Sequence, residues 1–348
     1  MPKEHLRKPS NYWFIRSFLE MCGKDVVFLC GDVSREYCEK LAGVAGSMSF
    51  QPRIYEVIKD HERRRLEQIA TREELEQLSA QSKADEEVIE SVRGCDAVVW
   101  IGLHEDFDVF YLVDKRLVNS ILSKSFLFLS FPSKAAAVQL GMGYGVYWDI
   151  FIKSLNYPWD KIKVLGEGLK EQLIGSQSVS VTSPLGTNFS LGLRGKKFEL
   201  FYGILDEELF RKGKVQLQLP AGELYIELDE TNLEGTVVSD VTQFFNGHIV
   251  SNVMIKVRKG VVTDFKSDKG RSILNKFFKS EETRVVSELG FGLNPAIKPC
   301  GSKFLDEKAY GTIHVGFGRM MTLGHTDFVI SDLTIHADGR LIKLKQPA

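Results

Sequence analysis

The apolar positions of the first half of the chain come in short, unbroken runs. "DVVFLCG" (25–31), "PRIYEVI" (52–58), "CDAVVWIG" (95–102) and "SFLFLSF" (125–131) are rich in β-branched and aromatic residues. Apart from "PRIYEVI", a strand candidate that carries Arg53 and Glu56, runs of that length without polar alternation predict strands buried on both faces. Between them the spacing changes. "DVSREYCEKLAGVAG" and residues 61–93 repeat apolar residues at helical intervals, with Leu66, Ile69, Leu75 and Leu78 along one side. A further helical segment separates the third and fourth runs. "YWDIFIKSLNYPWDKIKVLGEGLKEQLIG" (147–175) is helical and broken at Pro158, where a prolyl ring cannot continue a helix. Strand–helix alternation predicts a parallel sheet covered by helices.

The pattern changes near residue 177. "SVSVTSPLGTNFSLGLRGKKFEL" alternates apolar and polar residues between turn signals, as half-buried antiparallel strands do. "GELYIELDE", "EGTVVSDV", "HIVSNVMIKVRKGVVTDFKS" and "DFVISDLTIHADGRLIKL" continue the alternation, with "RKG" and "ADG" as hairpin turns. One segment, "GRSILNKFFKSEETRVVSELG" (270–290), predicts a helix with Glu288 at its end. At roughly 150 residues per domain, a chain of 348 residues holds two domains. The expectation is an α/β domain with a parallel sheet over 1–170. An α+β domain, mostly antiparallel β, follows over 171–348.

Composition narrows the function classes. Apolar residues make up 43% and charged residues 26%, and the formal net charge is −1, so nothing points to a nucleic-acid partner. The basic run "HERRRLE" (61–67) is one solvated helix face. "MPKEHLRKPSNYW" has no apolar core of a secretory leader, and no apolar stretch is long enough to cross a membrane. Five scattered cysteines without a CxxC pair fit a reducing, cytoplasmic setting and argue against a disulfide framework or a thiolate zinc site. The first half lacks a GxGxxG nucleotide fingerprint; "GMGYG" (141–145) follows no clear strand. His104, Glu105 and Asp106 follow a strand run and read as a solvated loop.

The second half carries the candidate chemistry. Glu223 stands at the start of a strand in "LPAGELYI", and Glu288 precedes the glycine-rich "LGFGLNP". His314 is flanked by Ile313 and Val315 in "GTIHVGFG", and "GHTDF" holds His325 and Asp327. Residues two apart on a strand share a face, so His325 and Asp327 can aim into one site, with His314 on a neighbouring strand. Carboxylates in apolar surroundings are costly unless paired or metal-bound. With imidazoles they suit a borderline divalent metal. Spacing alone leaves the alternative open that each is an isolated rim or core residue.

At these residues the sequence resembles the aminopeptidase T family of metallopeptidases. The resemblance runs in order through "VTSPLGTNFSLGLRGKKF", "LPAGELYI", "EGTVVSD", "VSELGFGLNP", "LDEKAYGTIHVGFG" and "GHTDF". It implies that Glu223, Glu288, His314, His325 and Asp327 are metal ligands, with Glu288 bridging two ions. Glu307 is implied as a further ligand or as the proton shuttle beside the catalytic Glu288. It also implies two divalent ions (zinc, cobalt or manganese), a homodimer, and hydrolysis of an N-terminal aminoacyl or small amide bond in a peptide. There are two departures: the interval from Glu307 to His314 is slightly longer than in the peptidases, which bears on the role of Glu307, and the stretch to His325 is short and carries Arg319, Met320 and Met321, which bears on substrate choice.

The dihydroxypyridine dioxygenases resemble the same scaffold but hold one ferrous iron with two histidines and an aspartate. A histidine stands there in place of Glu288 and an apolar residue in place of Glu223, so both positions are peptidase-like here. A ring-cleaving iron dioxygenase remains the alternative. So do a specialised biosynthetic amide hydrolase and a degenerate scaffold that only binds.

Overall fold

The computed structural model describes residues 13–32, 34–58, 83–104, 114–204, 211, 216–228, 233–245, 248–318 and 325–344. The run 61–67, most of the helix expected over 61–93, Glu105, Asp106, Arg319 to Met321 and Gly324 lie outside them. The described residues fall into two compact units. One holds those up to Phe151 together with those of 203–220; the other holds Ile152–Tyr202 and those from Ala221 onward.

In the first unit, strands β1 (Asp25–Gly31), β2 (Gln51–Ile58), β3 (Ala97–Leu103) and β4 (Ser125–Phe131) alternate with helices. The helices are α1 (Trp13–Cys22), α2 (Arg35–Ser47), α3 (Glu86–Gly94), α4 (Lys115–Leu122) and α5 (Lys134–Gln139). Local chemistry starts two of them: the Asp114 side chain accepts from the Arg116 amide, and Ser133 accepts from Ala136. Each cap satisfies an amide that has no partner within its helix. The chain continues through α6 (Tyr144–Leu155) and α7 (Trp159–Leu173), parted at Pro158.

The later strands are β5 (Ser178–Thr182), β6 (Asn188–Gly192), β7 (Phe198–Phe201), β8 (Gln216–Leu219), β9 (Glu223–Glu227) and β10 (Leu233–Ser239). They are followed by β11 (Gln243–Phe245), β12 (His248–Val250), β13 (Val253–Arg258), β14 (Val261–Lys266) and β15 (Val286–Gly292). Last come β16 (Ile313–Phe317), β17 (Thr326–Ile330), β18 (Thr334–Ala337) and β19 (Arg340–Leu341). Two short helices, α8 (Arg271–Phe277) and α9 (Lys303–Asp306), lie among them.

Among the described residues β11 and β12 pair as a two-stranded antiparallel ribbon, and three larger sheets organise the other strands. The first is parallel, in the order β2-β1-β3-β4-β8. Its last strand comes from far along the chain and completes the first unit. The other two are antiparallel: β14-β13-β10-β6-β5-β18-β19, and β17-β16-β15-β9-β7. The architecture is therefore an α/β parallel-sheet region followed by a mostly antiparallel one, as the periodicities predict.

The segment 270–290 corrects one expectation. Helix α8 stops at Phe277, a short 3₁₀ turn covers Glu281–Thr283, and Glu288 sits in the middle of β15. The strand lies between β9 and β16, which satisfy its backbone on both sides. Tertiary pairing overrides the helical spacing of the local sequence.

The sheet formed by β17-β16-β15-β9-β7 has two unlike faces. Leu224, Ile226, Leu289, Phe291, Ile313, Val315, Phe317 and Phe328 are buried on one. Phe278 packs against Phe317 and Phe328, with centroids 5.8 and 6.2 Å away. Each such side chain contributes about 1.5–3 kcal/mol by leaving water. That apolar face anchors the other one.

Candidate metal centre

Strand alternation puts Glu223 of β9, Glu288 of β15, His314 of β16 and Asp327 of β17 on the second face. His325, just ahead of β17, joins them. Cross-strand register brings them together: Glu288 stands opposite Gly316, which also stands opposite Asp327, while His314 stands opposite Gly290. All five converge in two groups that share Glu288: Glu223, Glu288 and His314, and Glu288, His325 and Asp327. The potential ligand atoms of each group lie within 4.8 Å of one another.

The distances are specific. His314 Nε2 is 2.8 Å from Glu223 Oε1 and 3.5 Å from Glu288 Oε1. His325 Nε2 is 3.3 Å from Glu288 Oε2 and 3.2 Å from Asp327 Oδ1. The two Glu288 oxygens thus face different imidazoles. On the far side of its ring, His325 Nδ1 lies 3.1 Å from the Gly318 carbonyl. A carbonyl can only accept, so Nδ1 carries a proton there and Nε2 is the nitrogen left to bind a metal.

Glycines make the space. A Cβ at Gly290 would sit 2.0 Å from His314 Nε2. A Cβ at Gly316 would sit 2.7 Å from His325 Cε1 and 2.8 Å from Glu288 Cβ. Any other residue at either position pushes a ring or a carboxylate out of the group.

Burial and charge oppose each other here. Burial lowers the pKa of His314, but the carboxylates of Glu223, Glu288 and Asp327 outweigh it and hold it well above the usual imidazole range. Burial likewise pulls on His325, yet Asp327 and Glu288 push it up to about 10. Burial raises the Glu223 carboxyl. It also opposes ionisation of Asp327, but the cations of His325 and Lys303 hold that carboxyl well below its ordinary value. Glu288 is lowered too, because the bonds from both imidazoles exceed the cost of burial.

The residues fit a divalent metal. Three carboxylates and two imidazoles crowd a largely buried space, where clustered charge is costly without a compensating cation. His314 Nδ1 is buried without a hydrogen-bond partner among the described residues. Mixed oxygen and nitrogen donors suit zinc, cobalt or manganese.

Glu307 lies outside both groups. Its carboxylate accepts from the Lys308 ammonium, which is 1% exposed and also donates to the Phe304 carbonyl at 3.3 Å. Three neighbours were not found by reading the sequence. Lys303 of α9 places its Nζ 3.3 Å from Asp327 Oδ2. Lys308 lowers the Glu223 carboxyl through its charge. Tyr225 shares the strand and face of Glu223, and burial, Glu288 and Glu223 together hold its phenol protonated. Lys303 and Lys308 flank the candidate Glu307 in sequence, but nothing local tells a buried lysine from a solvated one.

A carboxylate shared between two histidine-containing groups, on an antiparallel sheet, is an arrangement that could hold divalent metal. The model of the thermophilic metalloprotease family (M29) matches residues 156–333, more than half of the chain. The chain belongs to that family and is a metallopeptidase requiring divalent metal. Wild-type AmpT from Thermus thermophilus shares the fold, with a TM-score of 0.64, 15% identity, and 95% of this chain and 100% of that one covered. The dihydroxypyridine dioxygenase of Pseudomonas putida also shares it, with a TM-score of 0.60, 16% identity, and 96% of each chain covered. No curated protein sequence matches the chain.

Proposed function

We propose that the protein is a metallo-aminopeptidase that releases an N-terminal aminoacyl group from a small peptide or amide, using two divalent ions that share Glu288. The observation that carries this reading is the split of the Glu288 carboxylate, Oε1 toward His314 and Oε2 toward His325. Glu223 and His314 complete one triad, and His325 and Asp327 the other. When bound, the ions lower the pKa of a water molecule and polarise the scissile carbonyl. The chain's own part is to hold five ligands on one rigid sheet face, with His325 oriented by the Gly318 carbonyl. The apolar face behind them keeps water from the other side of the sheet.

Glu307 is proposed as the proton shuttle, a role that requires its carboxylate to leave Lys308. Replacing Glu307 by Gln should lower turnover while bound metal stays at the wild-type level; unchanged turnover removes it from the mechanism. A homodimer in the cytoplasm is part of the same proposal. Five cysteines without a disulfide among the described residues support the reducing setting, and no described helix is long and apolar enough to cross a membrane.

The fold shared with a dioxygenase supports a second reading, a mononuclear iron enzyme. Two histidines and one carboxylate are the set that suits ferrous iron in oxygenases. The extra carboxylates Glu223 and Glu288 favour the peptidase. One experiment separates the readings: reconstitution with zinc, cobalt, manganese or iron, elemental analysis, and a screen of aminoacyl amides and short peptides. Two ions per chain with amide hydrolysis support the proposal. One iron with oxygen uptake overturns it, and hydrolysis confined to a single specialised amide moves it to a biosynthetic hydrolase.

A further inference from the structure

We propose that Gln243 is a positioning residue for the metal centre: its carboxamide grips the main chain of Asp327 from outside the sheet and so aims the Asp327 carboxylate into the ligand group. The inference deepens the reading above and rests on its assignment of Asp327 as a ligand.

Strand β17 is the edge of its sheet, paired with β16 on one side. On its other side an edge strand has no neighbouring strand to bond its outward N–H and C=O groups. Here side chains take the place of that strand. Gln243 Nε2 donates to the Asp327 carbonyl at 3.3 Å, and Gln243 Oε1 accepts from the Val329 amide at 3.3 Å. The Ser239 hydroxyl donates to the Val329 carbonyl at 2.7 Å. Farther along, the Asp240 carboxylate accepts from the Ser331 amide at 2.7 Å. All three side chains come from one short stretch, where β10 ends and β11 begins. Ser239 and Gln243 are buried, so these bonds are sheltered from water.

Two observations give Gln243 a task beyond covering an edge. The first is its partner. Of the three clamping side chains, Gln243 is the one whose bond falls on a ligand residue; Ser239 holds Val329, and Asp240 holds Ser331. The second is what stands across the sheet. The residue opposite Asp327 on β16 is Gly316, where a Cβ would come within 3.0 Å of Asp327 Oδ1. The glycine that makes room for the carboxylate thus gives it no side chain to lean on at that position. The direction of the carboxylate then depends on where its main chain is held. One carboxamide, with a donor and an acceptor, spans Asp327 and Val329 as a neighbouring peptide would. Its loss leaves a buried carbonyl and a buried amide without partners, a cost that the strand relieves by shifting.

The test compares the wild type with Gln243→Met, Gln243→Asn and Asp240→Ala, each stripped of metal and titrated with cobalt(II). Calorimetry reads the affinity, and the visible absorption of the bound cobalt reads the ligand geometry. Methionine fills the space of glutamine without making either bond. Gln243→Met should weaken cobalt binding by about 10–100-fold, as loss of a group that orients a ligand does, and should alter the cobalt spectrum. Asparagine keeps the carboxamide but is one methylene shorter, so Gln243→Asn should give a smaller loss in the same direction. Asp240→Ala opens the same edge at Ser331, away from the ligands. It should lower the Tm of the metal-free protein and leave cobalt affinity and spectrum at the wild-type level. Wild-type affinity and spectrum in folded Gln243→Met overturn the positioning role; if that variant does not fold, the same result in Gln243→Asn does so. Equal weakening by Asp240→Ala also overturns it, because Gln243 then only covers the edge. A wild type that binds cobalt but hydrolyses no aminoacyl amide overturns the peptidase reading alone, whereas one that binds no cobalt overturns both.

Discussion

Strands β1, β3 and β4 of the parallel sheet and β15, β16 and β17 of the ligand-bearing sheet are all buried, for different reasons. Strands β1, β3 and β4 are apolar at nearly every position, and both of their faces are core. Strands β15, β16 and β17 are also buried at every position, yet one face of them carries Glu288, Gly290, His314, Gly316 and Asp327. In the first sheet burial is the source of stability. In the second it is a cost, carried by the apolar face behind and offset by pairing among charges. A buried strand with charged residues on one face is thus a site, and a buried strand without them is a wall.

Substitutions can break this comparison, beginning with the largest effect. Glu288→Gln removes the carboxylate common to both groups and should abolish hydrolysis and lower metal content by elemental analysis, while the apo protein keeps its circular dichroism. Retained activity on aminoacyl substrates would remove Glu288 from the centre. Leu127→Ala in β4, a fully buried site, should do the reverse. It should cost about 2–5 kcal/mol in denaturant unfolding and leave metal stoichiometry intact.

Gly290→Ala adds one methyl group where His314 Nε2 already sits. We expect about 1–3 kcal/mol of destabilisation from overpacking. Metal affinity should weaken as well, because the displaced ring is a proposed ligand; titration calorimetry reads both halves of that outcome.

The pH response sharpens the contrast further. His325 is raised from an ordinary imidazole value to about 10 by its carboxylate neighbours. A group whose pKa is raised on folding stabilises the protein fully below its unfolded value, near 6.5. That contribution fades as pH climbs toward the folded value. The chelated protein should therefore lose Tm steadily between about pH 6.5 and 10. The metal-loaded protein should not, because a metal-bound imidazole has already lost its proton. Equal slopes in the two forms would contradict the assignment of His325 to the centre.

The smallest effect belongs to the surface. Arg35 pairs with Glu39 at 2.9 Å and with Glu56 at 3.3 Å, all on partly exposed side chains. Arg35→Ala should leave the denaturant-unfolding midpoint nearly unchanged and metal binding untouched. A larger loss would mean that the parallel-sheet unit depends on charge as the metal sheet does.

Much of this was legible in the sequence, and particular residues show why. The apolar runs at 25–31, 95–102 and 125–131 read as buried strands, because their length suits a strand and their faces are alike. Glu223 at the start of its strand, and the His325–Asp327 pair on one face, follow from a period of two. Residues 270–290 carry helical spacing that puts Glu288 at a helix end, and only its neighbours β9 and β16 make it part of a strand. Strand β8 was missed altogether, since nothing local says that "QLQL" returns to a sheet formed by residues before 132.

By itself, the sequence determined the alternating character of each half, the change of periodicity near residue 177, and which residue types could serve as ligands. These are local properties, written in spacing and side-chain chemistry. The tertiary structure decided the rest: that one carboxylate, Glu288, stands between two histidines from different strands; that Gly290 and Gly316 open the room they occupy; and that Lys303, not Glu307, reaches a ligand oxygen. Such facts depend on cross-strand register and on the packing of a short helix against a strand distant in the sequence. No local pattern encodes them, because the energy that fixes register is shared among all the strands at once.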